Sequence, residues 1–512
     1  MATPTEFEIN CALMSGVAYE SNRPDKNKFP VPDGWTIIPG SYNKTDSSGF
    51  EAISFTDGNQ VVISFTGTDP KSLGDLVTDL QLLNGNITVQ LLQAAEYYMY
   101  IKNMYANNPD IQITLTGHSL GGGFAAVLGV LFNEQTVTFD QAPFKSAATE
   151  SIRMAILNHL QGQAYKYDIN DNPVYAPRLY PTTYTFDEIQ NKAYDLLSFT
   201  NDSLTSREAN VSGYYLEGEL CHSTETLNTL GNEEKITHGE TNLGIFQLHS
   251  QTLLAAFLLD PRLEDITTKL PSLLDMIYDE TLYAKPTSGR DENFLERLIR
   301  HQKGVVADST RGVTAVAADD MLTRFTDDLL KIAKDGGLTM NESIAKALTA
   351  FAMQMYYANP AAANPETYMT LFDEYGVTGG IHFKSTDVTA SIATAKGYKY
   401  FDSYLNTLPS TWEITPDALN SVKDKLPGLI DWYIQAGAGA MNATAGDQRA
   451  FMLGGTGNDV LAGGSNDDVL MGGKGNDQLN GDGGQTVQKP SYAAFPLSFG
   501  VAAYVQSTPH FL

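Results

Sequence analysis

At 512 residues, with 42% hydrophobic and 18% charged side chains, the chain is too long for one hydrophobic core and too apolar to be disordered throughout. It carries 33 basic and 60 acidic residues, a formal charge of -27, which argues against nucleic acid and against an anionic membrane surface as electrostatic partners. Cys11 and Cys221 are its two cysteines, too few for a disulfide framework, and each reads as a small buried thiol.

The first residues lack the basic and apolar stretches of a secretory signal peptide. Thr5-x-x-Glu8 forms a capping box for an amphipathic helix with Phe7, Cys11, Met14 and Ala18 on one face. Phe50–Phe55 and Val61–Phe65 flank Asp57-Gly58-Asn59-Gln60 and predict a hairpin. Leu73, Leu76, Val77 and Leu80 then recur at helical spacing, as a lid helix or a fixed core helix would. A long helix is expected from Val89 to Tyr105. Ile111–Thr116 alternates like a half-buried strand, Gly117-His118-Ser119-Leu120-Gly121 follows it, and the buried helix Phe124–Phe132 comes next. Strand, glycine-flanked turn and helix are the setting of a nucleophile elbow, which holds a serine on a strained turn with Oγ exposed.

Val137–Phe139 and Val211–Leu216 read as further strands, and the Tyr- and Asn-rich residues 145 to 210 between them have no clear periodicity. Polar residues Gln247, His249, Ser250 and Gln251 interrupt the apolar window Leu243–Leu259, so it predicts a core helix and no transmembrane segment. From about 261 to 445 apolar faces recur at helical spacing, in Phe294–Ile299, Met321–Leu330 and Ile344–Phe351. A helix around Leu426 to Ile434 is expected to cap the glycine-rich stretch that begins at residue 454.

Residues 454 to 484 repeat every nine residues with the pattern G-G-x-G-x-D-x-U-x, which predicts a calcium-binding parallel β-roll. Gly455, Gly457 and Asp459 in the first copy, Gly464, Asn466 and Asp468 in the second, and Gly473, Gly475 and Asp477 in the third are the candidate metal positions. Carboxylates and backbone carbonyls there supply hard oxygen ligands for Ca2+, glycines permit the tight turn, and Leu461, Leu470 and Leu479 fill the core. Asn466 stands where the pattern has glycine.

A nucleophilic serine needs a base, and the base needs a carboxylate to fix its tautomer. The order nucleophile, acid, histidine leaves His222, His238, His249, His301, His382 and His510 as bases for Ser119. His249 is preferred because it opens the apolar helix that ends the α/β region, with His238 next. The acid should follow the strand Val211–Leu216, where Glu219 is preferred over Glu217 and Asp202. The two oxyanion donors expected are the backbone N–H of Leu120 and the loop residue Thr68, in Phe65-Thr66-Gly67-Thr68.

Phe65–Thr68, Gly117–Gly122, Thr138–Pro143 and Leu248-His249-Ser250 together resemble class 3 (fungal-type) lipases over residues 1 to about 260. The resemblance implies a triacylglycerol lipase, phospholipase or esterase with Ser119 as nucleophile, Thr68 as oxyanion residue and His249 as base. Two positions depart from that family, which has Arg at the place of Thr66 and Asp at the place of Glu219. The repeats resemble RTX proteins of Gram-negative bacteria, which implies export by type I machinery and folding in extracellular calcium. The expected architecture is therefore an α/β-hydrolase domain (1–260), a mostly helical cap or spacer (261–445), a short parallel β-roll (446–484) and a tail (485–512) as a candidate secretion signal. The expected activity is that of a secreted serine lipase or phospholipase working through an acyl-enzyme at a lipid or other ester interface, with Ca2+ as cofactor. A soluble-ester esterase or acyltransferase with the same triad is the alternative within enzymes. A calcium-dependent binding protein with a decayed hydrolase domain is the alternative outside them.

Overall fold

Thr5 and Glu8 open the first helix as their spacing predicts. In the computed structural model α1 (Glu6–Val17) carries a complete capping box, with Cys11, Met14 and Ala18 buried. The structure describes the chain apart from residues 1–2, 22, 68–88, 109, 169, 223–227, 240–242, 271–272, 279–293, 335–371, 376–379, 385–431, 436–439, 445, 447–449, 454–457, 466–467, 473–474, 484–485, 490–503 and 506–512. The candidate lid helix and the apolar face Ile344–Phe351 lie outside the described residues. Two compact units result, the first formed by Met1–His238, Leu243–Glu264 and Arg290–Leu322, the second by Gly239–Asn242, Asp265–Gly289 and Thr323–Leu512.

The first unit is built on one mixed sheet. Its strands are β1 (Thr36–Ile37), β2 (Asn43–Thr45), β3 (Phe50–Thr56), β4 (Gln60–Phe65), β5 (Gln112–His118), β6 (Gln135–Phe139), β9 (Val211–Leu216) and β10 (Asn232–Ile236), and a small separate hairpin pairs β7 (Lys166–Tyr167) with β8 (Pro173–Val174). The order β1-β3-β4-β5-β6-β9-β10, with β2 also on β3, is antiparallel up to β4 and parallel from there on. The β3–β4 hairpin turns at Gly58, whose φ of 96° suits glycine. α2 (Val89–Met104) carries the chain back so that β5 can lie parallel to β4. Strands covered on both faces need continuous apolar runs, and β3 to β6 are buried along nearly their whole length.

α3 (Leu120–Phe132) follows β5 without a break and is buried from Gly121 to Phe132, so its composition is apolar all round. It shares one core with α2, β4 and β5, around Phe65, Tyr97, Leu115 and Val127. The insertion 145–210 supplies α4 (Glu150–Leu160), α5 (Phe186–Lys192), α6 (Tyr194–Ser198) and α7 (Leu204–Glu208), with Ile156, Leu160, Ile189 and Leu196 reaching the same core. Buried Glu96 of α2 receives the backbone N–H groups of Leu179 and Tyr180 and pairs with His159 and Arg178, which pins this insertion. The window Leu243–Leu259 forms two helices, α8 (Ile245–Leu248) and α9 (Gln251–Leu259), separated at His249. Cys11 and Cys221 are buried free thiols.

The middle region carries four described helices, α10 (Arg262–Lys269), α11 (Leu273–Tyr278), α12 (Phe294–Lys303) and α13 (Met321–Lys334), together with non-helical residues 304–320 and three strands. These are β11 (Phe372–Tyr375), β12 (Gly380–Lys384) and β13 (Trp432–Gln435). β13 occupies part of the stretch expected as a capping helix. Trp432, Tyr433 and Ile434 favour extended backbone, and the strand pairs in parallel with β15 (Ala450–Leu453), continuing the roll's sheet. The roll is a coil that closes every 18 residues, with β13, β15, β17 (Asp468–Met471) and β19 (Thr486–Lys489) on one side. β14 (Asn442–Thr444), β16 (Val460–Ala462) and β18 (Gln478–Asn480) form the other side, and β20 (Tyr504–Val505) pairs antiparallel with β19. Ala443, Met452, Leu461, Leu470 and Leu479 fill its core at nine-residue steps.

Candidate active site

β5 ends in the middle of the sheet, and its last residues pair with the ends of both neighbours, Gly117 with Phe65 and with Thr138, His118 with Phe139. Ser119 sits just beyond, at the carboxyl edge where parallel sheets place their ligands. Its backbone adopts φ 58° and ψ -125°, a left-handed conformation that strains a non-glycine residue by roughly 1–3 kcal/mol. Three hydrogen bonds hold it there: Ser119 N–H donates to Phe139 O (3.0 Å), and Ser119 O accepts from Gly123 N–H and Ala142 N–H (both 3.0 Å). Gly117, Gly121 and Gly67 let backbone pack where side chains cannot. A Cβ on Gly121 would lie 2.1 Å from Phe65 O, and one on Gly67 would lie 3.1 Å from Ser119 Cβ.

His249 closes on this turn from the junction of α8 and α9. Its Nε2 lies 2.7 Å from Ser119 Oγ, and its Nδ1 hydrogen-bonds to Glu219 Oε2. Glu219 follows β9 after Gly218, whose φ of 79° turns the chain back toward the sheet edge. All three side chains are buried, Glu219 completely. Burial alone would raise the Glu219 carboxyl. Electrostatic attraction to the His249 ring and hydrogen bonds from His222 and His249 outweigh it and lower the pKa to about 2, so Glu219 is ionised at neutral pH. Cys221 N–H also donates to Glu219 Oε2 (2.8 Å).

Of the residues expected from sequence, the structure thus brings Ser119, His249 and Glu219 into one hydrogen-bonded chain. Leu120 opens α3, so its N–H has no acceptor within the helix and stands beside the serine. Thr68 lies outside the described residues, and its neighbour Gly67 packs against the elbow. The competing candidates sit elsewhere. Glu217 is half-exposed in an ion pair with Lys235, His238 Nε2 lies 2.8 Å from Glu217 O, and Asp202 is exposed in a short 3-10 turn.

Two residues around the site carry no role that the sequence alone suggests. His118, the second residue of the pentapeptide, has its ring centroid 4.9 Å from that of His249, the planes tilted by 39°, and has Tyr19 Oη 2.7 Å from Nδ1. Asp140, after β6, lies 3.4 Å from His118 Nε2 and accepts from Leu216 N–H (3.2 Å). Burial, helped by the electrostatics of the nearby His249 ring, pushes His118 well below its usual range, and burial with Glu219 nearby pushes Asp140 well above its own. His222, one of the candidate bases, stands instead on the acid, its Nδ1 hydrogen-bonded to Glu219 Oε1.

In the second unit the repeat aspartates line the turns of the roll. Asp459 and Asp468 are buried, and Asp459 Oδ1 accepts from Met441 N–H (2.6 Å) one coil away. Asp477 Oδ1 accepts from Asp459 N–H (2.9 Å) in the same way. A Cβ on Gly463 would lie 2.3 Å from Asp468 Oδ2, and one on Gly472 2.2 Å from Asp477 Oδ2, so these turns close over the carboxylates only as glycine. Asp459 Oδ2 is buried with no hydrogen-bond partner among the described residues, as an oxygen meant for a cation would be. Gly464 (φ 101°) and Gly475 (φ 130°) occupy left-handed turns, whereas Gly455, Gly457, Asn466 and Gly473 lie outside the described residues.

Residues 12–169 match the Tle-like phospholipase domain family, and residues 453–487 match the RTX calcium-binding nonapeptide repeat (4 copies). Among curated proteins, three called "Putative lipase ATG15" are similar. That of Passalora fulva is 27% identical over 186 residues (28% of this chain, 27% of the relative), and that of Mycosarcoma maydis 33% over 142 residues (27% and 24%). That of Kluyveromyces lactis is 26% identical over 275 residues (43% and 46%), so the chain spans less than half the length of each. Among solved structures, Lip2 lipase from Yarrowia lipolytica is 16% identical with a TM-score of 0.26, covering 47% of this chain and 80% of its own. The lipase from Rhizopus microsporus var. chinensis is 19% identical with a TM-score of 0.22, covering 28% and 60%. The chain thus joins a Tle-like phospholipase domain, matched over residues 12–169, to C-terminal RTX calcium-binding nonapeptide repeats.

Proposed function

We propose that the first unit is a carboxylic-ester hydrolase acting on lipids through a Ser119–His249–Glu219 triad. The observation that carries this reading is the buried hydrogen-bond chain from Ser119 Oγ through His249 to an ionised Glu219. Ser119 Oγ attacks the ester carbonyl carbon while His249 Nε2 takes its proton. The imidazolium so formed is stabilised by Glu219, which stays ionised. The oxyanion is met by Leu120 N–H and, on the loop after Gly67, by Thr68. Collapse expels the alcohol with the proton from His249 and leaves an acyl-enzyme on Ser119. Water, deprotonated by His249, then attacks the acyl carbon and releases the acid by the same steps in reverse. A lipid substrate is supported by the phospholipase-domain match and by the lipase names of the similar proteins.

Calcium fits the second unit. Asp459, Asp468 and Asp477, with turn carbonyls of the repeats, would hold it, and the ion would cross-link successive coils. This supports a secreted protein, exported by type I machinery, whose roll orders in extracellular calcium. Among the described residues no helix is long and apolar enough to cross a membrane.

A panel of p-nitrophenyl esters, triacylglycerol and phosphatidylcholine, run on wild type and Ser119→Ala with fluorophosphonate labelling, tests the enzyme reading. Wild type should be labelled and active, and Ser119→Ala unlabelled and inactive with an unchanged circular dichroism spectrum. Retained hydrolysis by Ser119→Ala would refute it.

A further inference from the structure

Glu219 has a second partner. While Oε2 serves His249 and the backbone of Cys221, Oε1 hydrogen-bonds to His222 Nδ1, three residues along. The other ring nitrogen, His222 Nε2, lies 2.9 Å from Glu233 Oε2 on the edge strand β10. The Tyr215 ring of β9 stacks on the imidazole, centroids 3.9 Å apart and planes within 9°, which fixes its orientation. The His222 side chain is 15% exposed and that of Glu233 5%.

An imidazole facing a carboxylate oxygen at each nitrogen can donate to both only when both nitrogens carry protons. We infer that His222 is a positioning residue for hydrolysis: an imidazolium clamped between Glu219 and Glu233 that fixes the Glu219 carboxylate toward His249 and keeps it ionised. The inference rests on the triad proposed above. Burial opposes charge on His222, but the hydrogen bonds and charges of Glu219 and Glu233 outweigh it and raise its pKa to about 10. Other ionisable groups border the cluster. Asp140 is a carboxyl pushed up by burial and by Glu219, Cys221 is a thiol pushed up by burial and Glu219, and Glu217 is engaged by Lys235 at the surface.

The clamp has a clear purpose. A carboxylate with one oxygen on the catalytic histidine and the other unpaired in a buried site would be costly and free to rotate. A cation on the second oxygen offsets the desolvation and leaves one orientation. Glu233 then keeps the clamp charged through the pH range in which Glu219 must be ionised. Because the ring of His222 meets Glu219, Glu233 and Tyr215 and acts on Ser119 only through the acid, its loss should appear in kcat rather than KM.

The test is the pH profile of kcat and KM on a soluble p-nitrophenyl ester, for wild type, His222→Gln, Glu233→Gln, Glu219→Gln and Ser119→Ala. Removing a positive charge beside the Glu219–His249 pair makes the pair easier to protonate. In His222→Gln the acid limb should therefore move to higher pH, and kcat at pH 7 should fall roughly ten- to a hundredfold, the range for losing a charge-assisted hydrogen bond. In Glu233→Gln, His222 should lose its proton sooner, so that activity falls at lower alkaline pH than in wild type. Should His222→Gln fail to fold, the alkaline limb of Glu233→Gln decides alone. Wild-type limbs in every folded variant of this pair overturn the clamp, provided Ser119→Ala and Glu219→Gln are inactive. Activity retained by those two would instead overturn the triad beneath it.

Discussion

Gly121→Ala is the sharpest test of how the elbow is built. The added methyl would stand 2.1 Å from Phe65 O and 2.6 Å from Phe65 C, both backbone atoms at the end of β4. A carbon–oxygen contact of about 3.3 Å is the close limit, so α3 and β4 must separate by about 1 Å, and neither can rotate out of the way. Overpacking of this kind costs about 1–3 kcal/mol, or more where only backbone can yield. The displaced backbone also carries Ser119 on one side and the loop toward Thr68 on the other. A shift of about 1 Å there should lower kcat/KM by roughly a hundredfold even in folded protein. Gly122→Ala is the matched control. Its methyl would meet Gly117 O at 3.0 Å and Gln141 Cα at 3.4 Å, a strain that the helix propensity of alanine, about 1 kcal/mol over glycine, largely offsets. Urea unfolding of the first unit, followed by fluorescence, and ester kinetics at 25 °C read both variants. A Gly121→Ala enzyme with wild-type midpoint and kcat/KM, or a more damaging Gly122→Ala, would refute the close approach of α3 to β4.

Three pH effects arise from the buried charges, two in the first unit and one in the roll. Glu219 is depressed to about 2 from an ordinary 4.5, so the stability it confers is present above pH 4.5 and is lost as pH falls toward 2. His222 is raised from 6.5 to about 10, so its contribution is full below pH 6.5 and is lost as pH rises toward 10; thermal melts should show this alkaline loss in wild type and a weaker one in His222→Gln. In the roll, burial and the charge of Asp477 raise Asp459 from 3.8 to about 6. Its sign is the same as for His222: in chelator the roll should resist protease better at pH 5 than at pH 7. Calcium should reverse that order, because protons and Ca2+ compete for the same carboxylate, with half-protection at roughly 10⁻⁴ to 10⁻³ M calcium at pH 7. Cleavage after residue 445 that ignores both calcium and pH would remove the roll as a metal site.

Much of the first unit could be read from sequence because its signals are local. β5, the elbow and α3 follow one another in the chain, and the capping box at Thr5 closes within a single turn. The acid was harder, since Glu217 and Glu219 flank the same glycine and both follow β9. What separates them is the turn at Gly218, which sends Glu219 inward and leaves Glu217 beside Lys235. His118, Asp140 and Tyr19 gave no signal, because they meet only when β5, β6 and α1 assemble. His222 stood among the candidate bases, and its contact with Glu219 needs only a three-residue offset. Its second partner, Glu233, comes from another strand and was out of reach. In the roll the glycine–aspartate pattern fixes the repeats from 454, yet the core period begins earlier. Ala443 and Met452 keep the phase of Leu461 without the glycines, so the rungs before the repeats look like ordinary chain.

The two units place buried carboxylates under the same physical demand and answer it differently. Taking a carboxylate out of water is costly unless a cation or several donors replace the lost hydration. Glu219 finds its replacements within the fold, in His249, His222 and the Cys221 N–H, so its charge is stabilised whenever the first unit is folded. Among the described residues the roll has no such side chain against Asp459 Oδ2, and an unpaired buried oxygen is a standing cost to the folded coil. Lysine or arginine at that position would satisfy the oxygen permanently and make the roll independent of its surroundings. Leaving it to a cation from solution would tie the order of the second unit to calcium, whereas the proposed Ser119–His249–Glu219 triad is held by protein groups. Loss of calcium should therefore act on the turns of the roll first, and hydrolysis of a soluble ester by the first unit should outlast it.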